Sequence, residues 1–78
     1  MPSKHINFSQ SLLGFGSYLL EKLITPMSID ELWIVYRKDF KNNIYSANHS
    51  FDNLSLTLIF LYGINTIEDN NGIISRCN

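Results

Sequence analysis

The chain has 78 residues, of which 45% are apolar, 13% aromatic and 17% charged, with six Lys and Arg against seven Asp and Glu for a formal charge of −1. That length holds one domain, residues 1–78, and a domain near this size buries only about 60–65% of the surface of its unfolded chain, so it folds with little margin. Charge is well below the usual figure of about 25%, which excludes a highly charged tail, a disordered chain and a free-standing electrostatic clamp on nucleic acid. The one cysteine, Cys77, lies beside the C-terminus and has no second cysteine to pair with. Secreted domains this small lean on several bridges, so a reducing cytoplasm is expected. The longest apolar run, Leu58–Tyr62, falls far short of the roughly 20 residues of a membrane span. The first eight residues lack the apolar core and small-residue cleavage site of a signal peptide. A cytoplasmic, soluble chain with no membrane contact is expected.

In chain order, Lys4-His5-Ile6-Asn7-Phe8-Ser9 alternates polar and apolar residues and reads as a short strand. Leu12, Phe15, Leu19 and Leu23 then form one helical stripe, with Leu13, Leu20 and Ile24 as a second beside it. A helix over about 10–24 is expected, stopping before Thr25-Pro26. Gly14 and Gly16 inside it mean either a loose first turn or close approach of another backbone. Ser28 with Glu31 three residues on is a capping box, and Asp30 and Glu31 suit the positive end of a helix dipole. The second helix sends Ile29, Leu32, Tyr36 and Phe40 inward and gathers Arg37, Lys38 and Lys41 toward its C-terminal end. Residues 42–49 read as a polar loop anchored only by Ile44-Tyr45, with His49 exposed.

Ser50 caps a third helix with Phe51, Leu54, Leu58 and Leu61 on one face and Leu56, Ile59, Phe60 and Tyr62 over much of the rest. Such a helix has to be buried on more than one side. Gly63 reads as its left-handed stop. Ile64–Glu68 and Gly72–Arg76 read as strands joined through Asp69-Asn70-Asn71-Gly72. Strand, three helices and a C-terminal β-hairpin wing make an α+β winged helix, with the first strand free to join the hairpin.

Winged helices often read DNA with the third helix. Here residues 50–62 hold no Lys or Arg and one charge, Asp52, while the wing sets Glu68 and Asp69 against Arg76 alone. Phosphate contacts supply most of the affinity in such complexes, so autonomous DNA binding is not expected. Arg37, Lys38 and Lys41, interrupted by Asp39, are the one candidate nucleic-acid contact, or simply a solvated helix end matched to its dipole. His5, His49 and Cys77 lack the paired spacing of a zinc site. The adjacent carboxylates are explained by a helix start and a turn, and Gly14-Phe15-Gly16 lacks the third glycine and Lys of a phosphate loop. No enzyme activity and no cofactor are expected. What remains is apolar surface: Trp33, Tyr36, Leu56, Ile59 and Phe60 are the candidate protein interface, although Trp33 could equally close the small core.

Pro2-x-Lys4-His5-Ile6, Ser11-Leu12-Leu13-Gly14-x-Gly16, Asp30-Glu31-Leu32-Trp33, Ser50-Phe51-Asp52, Leu58-x-Phe60-Leu61-Tyr62 and Gly72-Ile73-Ile74-Ser75-Arg76-Cys77 together resemble the small middle component of bacterial ABC-three component systems, type six. The resemblance covers nearly the whole chain. The Asn-rich loop before Ser50 departs from it. It implies a non-catalytic accessory subunit in an antiviral or anti-plasmid defence system. Its partners would be a Rad50- or SMC-like ABC ATPase and a third, effector-like component, and DNA would be met only through that complex. The competing reading is a small winged-helix transcriptional regulator that binds DNA as a homodimer. A small hydrolase or redox protein using Cys77 or His5 is the third.

Overall fold

The computed structural model describes residues 11–77; the expected first strand, with His5, lies outside them. The elements are α1 (Leu12–Lys22), β1 (Met27–Ser28), α2 (Ile29–Lys41), α3 (Phe51–Gly63), β2 (Ile67–Asn70) and β3 (Ile73–Arg76). Each helix starts on a serine. Ser11 Oγ accepts from the Gly14 amide at 2.9 Å, Ser28 Oγ from Glu31 at 3.2 Å and Ser50 Oγ from Asn53 at 3.1 Å. The capping box of α2 is complete, because the Ser28 amide donates to Glu31 Oε1 at 2.9 Å. These bonds satisfy amides that have no partner inside the helix, which is why the starts fall where they do.

The ends of α2 and α3 are set by asparagine. After α2, Asn43 adopts φ 60°, its amide donating to Phe40 O at 3.1 Å and that of Ile44 to Asp39 O at 2.8 Å. After α3, Asn65 adopts φ 63°, with Asn65 N–H on Tyr62 O at 3.1 Å and Thr66 N–H on Leu61 O at 3.0 Å. Both are Schellman caps with Asn in the left-handed position that Gly more often fills. Gly63, expected to be the stop, is instead the last helical residue of α3.

The sheet is antiparallel in the order β1-β3-β2. The hairpin register pairs Asn70 with Ile73, so the loop is only Asn71-Gly72, with φ of 55° and 88°. Two consecutive positive φ values are the type I′ pattern that matches strand twist. Asp69 and Asn70, expected in the tip, belong to β2, and Asp69 Oδ1 accepts from the Gly72 amide at 2.9 Å to brace the turn. The third strand among the described residues is Met27–Ser28, paired with Ile74 and Ile73. The result is the expected α+β, winged-helix-like layout.

Phe15, Leu19 and Leu23 of α1, Leu32 and Tyr36 of α2, Leu54, Leu58 and Leu61 of α3, and Ile67 and Ile74 of the hairpin form the core. Phe15, Leu19 and Leu23 of the first α1 stripe are buried while Leu12 is 45% exposed; of the second, Leu20 is partly buried against the core and Leu13 and Ile24 are 60% and 71% exposed. Gly16 is where α1 meets α3. A Cβ there would lie 3.1 Å from Leu61 Cδ2, so the close approach is by a side chain and not a backbone. The loop between α2 and α3 also differs from expectation: Ile44 is exposed, while Ala47 and His49 are buried. The His49 ring stacks on Phe15 with centroids 3.9 Å apart.

Candidate protein-interaction surface

The buried residues of α3 are Leu54, Thr57, Leu58 and Leu61, all on one side. Thr57 is tolerated there because its hydroxyl donates to Asn53 O at 2.7 Å within the helix, so no polar group is left unpaired. The opposite side is inverted relative to an ordinary surface helix. Leu56, Ile59 and Tyr62 are 59%, 66% and 60% exposed. Phe60 is half-buried against the core. Beside Ile59 and Tyr62 a groove of about 450 Å³ runs between α3 and the sheet, floored by Ile67 and Ile74. On the other side Leu56 and Leu12 border a smaller cleft of about 160 Å³, which carries apolar surface on toward α1. Burying a large apolar side chain is worth about 1.5–3 kcal/mol, so the chain leaves several such increments unused on this one helix.

Of the expected interface residues, Leu56 and Ile59 stand open and Trp33 and Phe60 are half-buried. Tyr36 is a correction: it is 0% exposed. Its hydroxyl donates to Ala47 O at 2.6 Å and accepts from the His49 amide at 2.5 Å, so it ties the 42–49 loop to α2 and reaches no surface. Trp33 packs edge-on against Phe51 at 5.4 Å and lies 5.5 Å from Tyr36, closing the rim of the core while keeping an exposed edge. Tyr62, read from the sequence as part of the second apolar side of this helix, and the groove floor were not among the expected interface residues; Tyr62 follows Ile59 by three residues, a spacing that places both on one helical face.

Arg37, Lys38 and Lys41 are exposed. The Arg37 guanidinium lies 5.1 Å from the Phe40 ring and 5.6 Å from that of Trp33, and donates to Asn48 Oδ1 at 3.2 Å, so it covers aromatic surface as well as carrying charge. Among the described residues, no three His, Cys, Asp or Glu side chains come together as a metal site. No helix of the described residues is long and apolar enough to cross a membrane.

Asp39, which only interrupts the basic cluster in the sequence, is 8% exposed and turned inward. Its carboxylate accepts from the Tyr18 hydroxyl at 2.5 Å and pairs with Lys22 Nζ at 3.1 Å, joining α1 to α2. Burial pushes the Asp39 carboxyl up, but the Tyr18 and Lys22 hydrogen bonds and the Lys22 and Lys38 charges outweigh it and hold it below its ordinary value. Burial and the Asp39 carboxylate push the Tyr18 phenol well above its own. The depressed acid therefore contributes stability above about pH 4 that is lost as pH falls through its folded value, and the raised phenol contributes stability below about pH 10 that is lost above it. Asp39→Asn is expected to flatten the acid limb of stability against pH, measured by urea unfolding between about pH 2 and pH 7.

Gly63 lies on the open side of α3, and a Cβ built there meets nothing within 4 Å. Its helical backbone has no need of glycine, which costs about 0.5–1 kcal/mol against Ala. Gly63→Ala is expected to raise the stability of the isolated chain by roughly that amount in thermal melts.

A model of the family described as ABC-three component (ABC-3C) system Middle Component 6 matches residues 1–77. No curated protein and no solved structure matches the chain.

Proposed function

The chain belongs to the ABC-three component system middle component 6 family, and from that premise we propose that it is a non-catalytic adaptor holding the ABC ATPase and the third component of its system together. The observation that carries this is the exposed apolar side of α3, Leu56, Ile59 and Tyr62, on a helix that holds no Lys or Arg. Apolar side chains in that position gain free energy by leaving water against another protein and gain little against a phosphate backbone. Trp33, with one edge exposed beside Phe51, extends the contact as an aromatic anchor. Motion would come from the ATPase, and this subunit would fix the register in which that motion reaches the effector. Work in the cytoplasm and in defence against phages or plasmids is the setting that fits such an assembly.

Exposed Arg37, Lys38 and Lys41 favour a second reading, contact with DNA already held by the complex. Sizing the chain alone, then co-expressed with the other two components of its system, tests the main proposal. Co-elution of all three, with loss of the ATPase–effector association when this chain is left out, supports it. A chain that elutes apart from both components overturns it. Salt-sensitive gel shifts by the isolated chain would move the reading to a DNA-binding regulator.

A further inference from the structure

On the adaptor reading something must seat against α3, and the groove beside that helix constrains its chemistry. We propose that the groove takes an amphipathic helix of another component of the system, apolar on the buried side and carrying Lys or Arg where it passes Asp69. This rests on the adaptor reading and names its occupant.

Ser55, Leu58, Ile59 and Tyr62 form the α3 wall. Their spacing of three, four and seven residues from Ser55 covers two turns, about 10 Å of helix axis. That is the length over which a helix laid in a groove places its anchors. The floor, Ile67 and Ile74, is apolar.

The charge around the groove has one sign at its wing end. Asp69 is the only charged residue among the described residues that line it. Its register partner is Ile74, so it shares the sheet face of the floor residues. Asp30 directly follows the lining residue Ile29, and Glu31 is tied to the amide of Ser28 in β1, the strand beside β3. Among the described residues, Lys22 is paired with Asp39, Arg37, Lys38 and Lys41 occupy the second half of α2, and Arg76, the register partner of Ile67, shares the sheet face of the floor at the end of the hairpin away from Asp69. A cationic helix matches this pattern.

The test replaces Tyr62 with p-benzoylphenylalanine in the chain assembled with its two partner components, followed by irradiation and peptide mapping. The proposal expects a crosslink to a partner segment with apolar residues at helical spacing and at least one Lys or Arg. A crosslink to a second copy of this chain, to a segment without a cation, or to nothing overturns it. Asp69→Asn separates charge from structure, since the amide oxygen can still accept from Gly72. Affinity for the partner components should fall about 3–5-fold at low salt, and the salt dependence should weaken. Unchanged affinity and salt dependence would overturn the cationic helix while leaving the adaptor reading standing. Failure of the unaltered chain to bind either component would overturn both.

Discussion

Tyr36→Ala is expected to unfold most of the protein at 37 °C. The side chain is fully buried. Its ring meets Phe15 at 5.1 Å edge-to-face and Trp33 at 5.5 Å, with Tyr18, Tyr45 and His49 each at 6.1 Å. Truncating a buried aromatic leaves a cavity that costs about 3–5 kcal/mol. The Ala47 carbonyl and the His49 amide also lose their shared partner, and each unsatisfied buried group adds about 1–3 kcal/mol. A 78-residue chain has a total stability of only about 4–12 kcal/mol. Tyr36→Phe isolates the hydroxyl. It keeps the ring packing and should cost about 1–3 kcal/mol in urea unfolding, with faster amide exchange at His49. A Tyr36→Phe protein as stable as the parent would show that the hydroxyl does not hold the loop.

Leu56→Asp with Ile59→Asp is expected to have the opposite profile, a fold close to the parent and a lost complex. Both side chains are more than half exposed, so removing them takes away little burial. The cost to the isolated chain is the helix propensity of Asp, about 1 kcal/mol for the pair. If the two side chains are buried on assembly, their loss forfeits about 3–6 kcal/mol and two carboxylates are forced into an apolar contact. Affinity for the other components should then fall more than about 100-fold. Circular dichroism and urea unfolding of the isolated variant check the first half, and co-purification checks the second. A variant that folds and still co-purifies would remove the α3 surface from the assembly. Phe60→Asp is a poorer probe, since Phe60 is half-buried and packs on the core, so loss of binding there would be mixed with loss of fold.

What the sequence made legible was what short-range chemistry specifies. The Ser50 cap and the Ser28–Glu31 box act over three residues, and Asn71-Gly72 makes its own turn, whereas the Ser11 cap was passed over in a helix expected from about residue 10. The doubly apolar character of α3 was legible because its period is helical and two faces are filled. What was missed depends on partners distant in the chain. Met27–Ser28 is a strand only because Ile73 and Ile74 lie beside it, and two residues carry no alternation to read. His49 is buried because the polar loop folds back over Phe15 and Tyr36, and no periodicity marks that. Asp39 reads only as a break in the basic cluster. It follows Leu32 and Tyr36 at helical spacing, but the expected inward stripe runs through Phe40, and its partner Tyr18 lies 21 residues away. For the interaction surface, helical phase placed Leu56 and Ile59 outside correctly and could not separate Tyr36, which faces the core, from Trp33, which straddles its rim.

Hydroxyl-radical footprinting of α3, on the isolated chain and on the chain assembled with the ABC ATPase and the third component, tests most directly whether the open apolar side of this helix is a contact surface. Leu56, Ile59 and Tyr62 should react readily in the isolated chain and become protected in the assembly, while exposed residues away from α3 such as Ile24 keep their reactivity. Equal oxidation of Leu56, Ile59 and Tyr62 in both states would contradict it.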